Sequence, residues 1–268
     1  MISRVKTIII AAFVLFIAGG TLAYASHSWG GYHWARTVSP FTLKLGDNVT
    51  STWDDHLATA STDWSVSSVL DTAIVAGKSK GNCQPTKGRV EVCDKTYGYN
   101  GWLGLAQIWV SGSHITKGVA KMNDTYFNVA PYNTAAWRQF VICQEIGHTF
   151  GLDHQNVNSA DANLGTCMDY TNDPDGTING WLSNEHPNAH DYDELGVIYR
   201  HLDTFTTALS SVFSKKSLAS ALANDDDDTS NPSEWGKVVR KSSDGRSSLH
   251  ERDFGKGNKV FTFVIWAN

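Results

Sequence analysis

The sequence predicts a mixed α+β domain, with a helix packed under a small β-sheet. Two runs rich in β-branched residues follow one another closely, GLAQIWVSG and HITKGVAKMND. The stretch 134–150 then carries apolar residues at helical spacing, and strand character returns at the end of the chain in KVFTFVIWA. Strands grouped together and followed by helices, rather than alternating with them, are typical of the α+β class.

The segments before these runs add three predicted elements. PFTLKLG alternates apolar and polar residues, which indicates a strand. A helix is predicted over residues 54–64, because Leu57, Ala60 and Trp64 recur at helical spacing. VLDTAIVAG then reads as a further strand.

Two helices follow the strands. The helix over residues 134–150 is the best defined, with Gly151 as its stop signal. A second helix is predicted over residues 191–201, in DYDELGVIYRH, after Pro187. No internal repeat is visible in the sequence.

The first 25 residues predict a secretory signal peptide. Arg4 and Lys6 precede an apolar run, and Ala23-Tyr24-Ala25 forms a small-x-small cleavage site. The rival interpretation is an uncleaved membrane anchor, but an apolar core of roughly 10–15 residues is short for a span that needs about 20. We therefore expect a secreted, extracellular protein that begins near Ser26 and has no membrane contact after cleavage.

Composition divides the remaining chain. Residues 26–203 hold the predicted α+β domain, 204–234 are rich in Ser, Ala and Asp and predict a linker or loop, and 235–268 predict a β-rich C-terminal extension. The formal net charge is -5 and basic clusters are missing from the sequence, which argues against a nucleic-acid partner.

Four cysteines in an exported chain allow three pairings. We favour Cys83 with Cys93, which bracket a short Pro- and Gly-containing loop, and Cys143 with Cys167. The second bridge would close a loop of about 24 residues and contribute on the order of 3 kcal/mol. Buried free thiols are the alternative, which an oxidising compartment disfavours.

The stretch QEIGHTFGLDH, residues 144–154, has the pattern of a metal-binding helix. Residues four apart share a helix face, so Gln144 and His148 project together with Glu145 beside them. Gly151 permits a sharp turn, after which His154 can return to the same point. Two imidazoles and one further donor leave a position for water, the open arrangement of catalytic zinc.

This stretch resembles the metzincin pattern H-E-x-x-H-x-x-G-x-x-H at every defining position except the first, where Gln144 replaces His. Cys167-Met168-Asp169-Tyr170 lies where metzincins carry their Met-turn. The segments before and after the helix are similar to matrixin-type catalytic domains, and the resemblance covers about residues 30–203.

The resemblance implies a zincin-type fold and a monomeric, secreted zinc endopeptidase acting on protein or peptide substrates. It implies that His148 and His154 bind Zn²⁺ and that Glu145 is the general base, with Gln144 at the position of the remaining ligand. Met168 would form the floor beneath the metal, and Tyr170 would steady the developing oxyanion. Strand residues 111–115 would pair with an extended substrate at an open sheet edge.

Gln144 leaves three alternatives open. Its neutral amide oxygen can bind zinc, though more weakly than an imidazole does. Another histidine can complete the site, namely His114, His186 or His190. Or the chain has lost its metal and is a non-catalytic binding protein with the metzincin fold. We favour a metal-binding protein, since the other positions of the motif are all still present.

Calcium is a secondary possibility in two places. The turn at residues 172–176 and the acidic run Asp225–Asp228 both offer carboxylates. An ordinary turn and a solvated linker are the favoured interpretations.

Overall fold

A computed structural model describes residues 27–79, 81–209 and 231–267. The predicted signal peptide and the acidic run Asp225–Asp228 lie outside these ranges. Within them, none of the helices is both long and apolar enough to cross a membrane.

The described part of the chain forms one mixed sheet of nine strands. The strands are β1 His33–Trp34, β2 Phe41–Asn48, β3 Leu70–Ala76, β4 Val90–Lys95, β5 Trp102–Ser111, β6 His114–Asn123, β7 Lys237–Lys241, β8 Ser247–Gly255 and β9 Asn258–Trp266. Their order is β3-β2-β4-β6-β5-β9-β8-β7, with β1 beside β6. The pairs β1–β6, β2–β3, β2–β4 and β4–β6 are parallel. The pairs β5–β6, β5–β9, β8–β9 and β7–β8 are antiparallel.

Four α-helices accompany the sheet in the described ranges. They are α1 Asp54–Trp64, α2 Asp124–Phe127, α3 Ala135–His148 and α4 Ala189–Ile198, and a 3₁₀ turn spans Pro232–Glu234. The Thr134 side chain caps α3 by accepting from the Trp137 amide. The indole of Trp64 donates to the Cys143 carbonyl at 3.1 Å, which fixes α1 against α3.

The structure confirms the predicted α+β class and most predicted elements, including α1 over residues 54–64. The last predicted helix is shifted. α4 begins at Ala189 because Asn188 and Asp191 form a capping box there, and it ends at Ile198 rather than at residue 201. The short elements β1, β4 and α2 were not predicted.

The C-terminal strands continue the main sheet. β9 pairs antiparallel with β5 over the whole strand, from Trp102 opposite Trp266 to Ser111 opposite Asn258. The expectation of an open edge at residues 111–115 is therefore wrong for this conformation. Ser111 is paired with β9, and His114 and Ile115 are paired with β1.

Both favoured disulfides are present. Cys83 is bonded to Cys93 in β4, and Cys143 in α3 is bonded to Cys167. The second bridge holds the end of α3 against the turn that carries Met168.

Candidate metal centre

The first part of the motif lies in the last turns of α3, and its side chains are buried. Gln144, Glu145 and His148 are almost completely inaccessible to solvent. The His148 ring places Nδ1 2.8 Å from the Leu152 carbonyl, so Nδ1 carries the proton and Nε2 presents its lone pair. Burial, followed by the charge of His154, holds the pKa of His148 well below its usual range.

The structure brings His154 to His148. Gly151 adopts φ +101°, and a Cβ added there would lie 2.2 Å from the Tyr32 carbonyl oxygen, so the turn requires glycine. The Nε2 atoms of His148 and His154 are 2.9 Å apart. Two nitrogens bound to one tetrahedral zinc at about 2.0–2.1 Å are roughly 3.3 Å apart. A small outward shift of the rings would therefore admit the ion.

Gln144 is arranged as an oxygen donor. Its side-chain Nε2 donates to the Cys167 carbonyl at 2.7 Å. Among the described residues its Oε1 has no hydrogen-bond partner, although it is buried. A buried, unpaired amide oxygen is costly, and a metal ligand role would explain it. The disulfide-bonded Cys167 thus sets the orientation of the amide.

Glu145 lies against β5. A Cβ added at Gly104 would lie 2.7 Å from Glu145 Oε1, so the absence of a side chain there makes room for the carboxyl group. Within the described ranges, neither carboxyl oxygen has a hydrogen-bond partner. Burial raises the pKa of Glu145 well above its ordinary range.

The Met-turn residues flank this cluster. Met168 lies against Gly147, where an added Cβ would be 2.7 Å from the Met168 sulfur. The Tyr170 ring is 4.5 Å from the ring of His154, and burial raises the pKa of the Tyr170 hydroxyl. All of the motif residues are thus brought to one region of the molecule.

The three substitute histidines are held by other partners. His114 Nε2 lies 3.1 Å from Asp203, and His186 Nδ1 lies 2.7 Å from Asp63. The His190 ring stacks on His27.

The C-terminal strands cover the cluster, which sequence reasoning missed. Phe263 of β9 lies flat on His148, with 4.2 Å between ring centroids and 7° between planes. Arg240 of β7 binds the carboxylate of Asp153 through two nitrogens at 2.5 Å. A cavity of about 200 Å³ remains beside His154, lined by residues that include Arg240, Leu249 and Phe263.

Asp153 contacts both Arg240 of the C-terminal strands and His154 of the motif. Burial alone would raise the pKa of Asp153, but hydrogen bonds and charges from His154 and Arg240 hold it well below the usual range. This ionised carboxylate lies 3.5 Å from His154 Nδ1 and accepts a hydrogen bond from the His154 backbone amide at 2.8 Å.

The turn at residues 172–176 is an ordinary one. The Gly176 amide donates to the Asp173 carbonyl at 3.0 Å, and the Asp173 carboxylate accepts from the Asn179 amide. Its carboxylate is thus used within the loop, and calcium gains no support here.

No protein-family model matches this chain, and no curated protein matches it. Among solved structures it is similar to myroilysin, at 13% identity and a TM-score of 0.33 over 66% of this chain and 98% of that one. It is also similar to high choriolytic enzyme 1, a hatching enzyme zinc-protease from Oryzias latipes. The identity is 11% and the TM-score 0.32, over 64% of this chain and 96% of that one.

In this mixed α+β protein, Gln144 and His148 in the last turns of α3 and His154 beyond its end contribute a buried amide oxygen and two buried imidazoles.

Proposed function

We propose that this chain is a secreted, monomeric zinc endopeptidase of the metzincin type, and that the conformation described here is its closed form. One observation carries the proposal. The Nε2 atoms of His148 and His154 lie 2.9 Å apart. Gln144, whose amide oxygen has no hydrogen-bond partner among the described residues, lies one helical turn before His148.

His148, His154 and Gln144 would hold the metal. Zinc bound there would polarise the scissile carbonyl and lower the pKa of a bound water. The residues of the chain would do the rest. Glu145 would take a proton from the attacking water and deliver it to the leaving amine, as a positioned general base and acid. Tyr170 would stabilise the developing oxyanion by donating a hydrogen bond from its hydroxyl group, which keeps its proton.

Gln144 weakens metal affinity without removing the site. An amide oxygen is a neutral and weaker donor than imidazole, so occupancy is the vulnerable step. The hydrogen bond from Gln144 to the Cys167 carbonyl partly offsets this weakness, because it fixes the amide before metal binding.

The closed form follows from the burial of the site. An extended peptide cannot pair with β5 while β9 occupies that edge, and Phe263 blocks the face of His148. Catalysis therefore requires β9 to move away from β5, or the C-terminal strands to be displaced by the substrate.

Hydrolysis of unstructured protein by the mature chain, beginning near Ser26, tests the proposal. We expect cleavage of internal peptide bonds that a chelator abolishes and added Zn²⁺ restores. Glu145→Gln should keep its zinc and lose cleavage. A folded, zinc-loaded protein with no cleavage, even after β9 has been loosened, would favour the non-catalytic binding protein instead.

A further inference from the structure

A second cluster of metal-ligating side chains lies outside the motif. His33 in β1 and His201 and Asp203 after α4 bring their ligand atoms within 4.8 Å of one another. We propose that these three residues form a second divalent-metal site, of the zinc type, that fastens the N-terminal segment to the segment after α4.

The backbone already holds the two segments together. The Asp203 amide donates to the Arg36 carbonyl at 2.8 Å, and the Thr207 amide donates to the Ala35 carbonyl at 3.0 Å. The Thr207 hydroxyl in turn accepts from the Ala35 amide at 2.9 Å. The positions of the ligands therefore do not depend on the metal, which would bind a largely preformed site.

His33 provides the strongest observation. Its Nδ1 lies 2.9 Å from the Gly31 carbonyl, so Nδ1 carries the proton and Nε2 presents a lone pair when the ring is neutral. That Nε2 is buried and, in the part of the chain described, has no hydrogen-bond partner. It points at Asp203 Oδ2, 3.8 Å away. A lone pair facing a carboxylate is unfavourable, and either a proton on Nε2 or a metal cation between the two groups removes the repulsion. A metal cation would also engage the second imidazole of the cluster, His201.

The separations suit a small divalent ion. His201 Nε2 lies 3.6 Å from Asp203 Oδ1, and ligand atoms bound to one tetrahedral zinc at about 2.0–2.2 Å are roughly 3.4 Å apart. Two imidazoles and a carboxylate are donors that zinc accepts. The His201 side chain is 50% exposed, which leaves a path for the ion and a position for water.

Asp203 is held in place by two further groups. The Arg36 amide donates to Oδ2 at 3.0 Å, and His114 Nε2 lies 3.1 Å from Oδ1. Hydrogen bonds to a ligating carboxylate fix its orientation, so His114 is a positioning residue rather than one of the three ligands. Because His114 is paired with Asp203, it is not available as a third ligand beside His148 and His154.

Zinc retained after dialysis against metal-free buffer tests the proposal. His201→Ala removes a half-exposed ligand with little risk to the fold. His186→Ala is the matched control, since His186 is 53% exposed and is also paired with an aspartate, Asp63. We expect His201→Ala to lose one zinc per chain, or to bind it at least about 100-fold more weakly, with His186→Ala unchanged.

A second variant separates the two sites. Asp203→Asn should also lose this zinc, whereas His148→Ala should keep it and lose the other. If His201→Ala and Asp203→Asn both retain as much zinc as His186→Ala, the second site does not exist, and Asp203 is only a hydrogen-bond partner of the histidines. If zinc is lost in His148→Ala but not in His201→Ala or Asp203→Asn, the proposed peptidase site stands and this second site is overturned.

Discussion

The ring of Phe263 lies parallel to the ring of His148, with their centroids 4.2 Å apart. Phe263 belongs to β9, the last strand in the chain, and His148 to α3, in which the QEIGHTFGLDH motif begins. The contact therefore joins the C-terminal extension to the proposed metal centre.

Breaking the Arg240–Asp153 contact should increase peptidase activity. Charge-assisted hydrogen bonds contribute about 1.5–3 kcal/mol, and the partial exposure of Arg240 places this pair at the lower end. Arg240→Ala should then shift the opening equilibrium and raise peptide hydrolysis roughly tenfold.

Arg252→Ala is the control for Arg240→Ala. Arg252 lies in the same C-terminal strands but binds Glu234, away from the motif. Equal activities of the two variants, at equal zinc content, would show that the Arg240 contact does not keep the site closed.

Gln144→His should increase zinc affinity by at least about tenfold, because imidazole replaces a weaker neutral donor. Competition with a chromophoric chelator measures the change. Gln139→His adds a histidine to another buried position of the same helix and should have no such effect. Unchanged affinity in Gln144→His would mean that Gln144 is not a ligand.

The two disulfides should differ in their effect on zinc. Replacing either pair by alanines should cost about 3 kcal/mol of unfolding free energy, because this cost depends only on the logarithm of the sequence separation, which is 10 for Cys83–Cys93 and 24 for Cys143–Cys167. The Cys143/Cys167 variant should also bind zinc more weakly, because the Cys167 carbonyl orients Gln144. Equal zinc affinities in the two variants would contradict this role of the bridge.

Asp124 should make stability fall with rising pH. Burial, reinforced by a hydrogen bond with Asp94, raises its pKa to about 7. The folded state thus favours the protonated carboxyl, so its contribution is complete below the unfolded pKa of about 3.9 and is lost as pH rises through 7.

Asp124→Asn should flatten this decline between about pH 4 and pH 7, since an amide keeps an acceptor for the Trp53 indole and does not titrate. Denaturant titrations at several pH values measure the effect. Parallel curves for the wild type and Asp124→Asn would contradict the assignment.

The sequence predicted those features that depend on local patterns. α3 was recognisable from its apolar spacing, and the return of His154 to His148 from the requirement for glycine at position 151. The pairing of β9 with β5 was not recognisable. It joins segments more than a hundred residues apart, and strand propensity in KVFTFVIWA does not specify a partner.

The second histidine cluster was missed for a related reason. His201 and Asp203 are two residues apart, but His33 lies near the start of the described chain, so no fixed spacing links all three as it links the residues of the motif. His114 was considered only as a substitute ligand for zinc at the motif. Its actual partner, Asp203, is set by the course of the chain after α4.

Zinc bound to purified His201→Ala protein, beginning near Ser26 and dialysed against metal-free buffer, tests the central claim most directly, since this variant isolates the motif from the second site. We expect about one zinc per chain, and none when His148→Ala is added. A folded His201→Ala protein that retains no zinc, or one whose zinc survives His148→Ala, would contradict a metal centre at QEIGHTFGLDH.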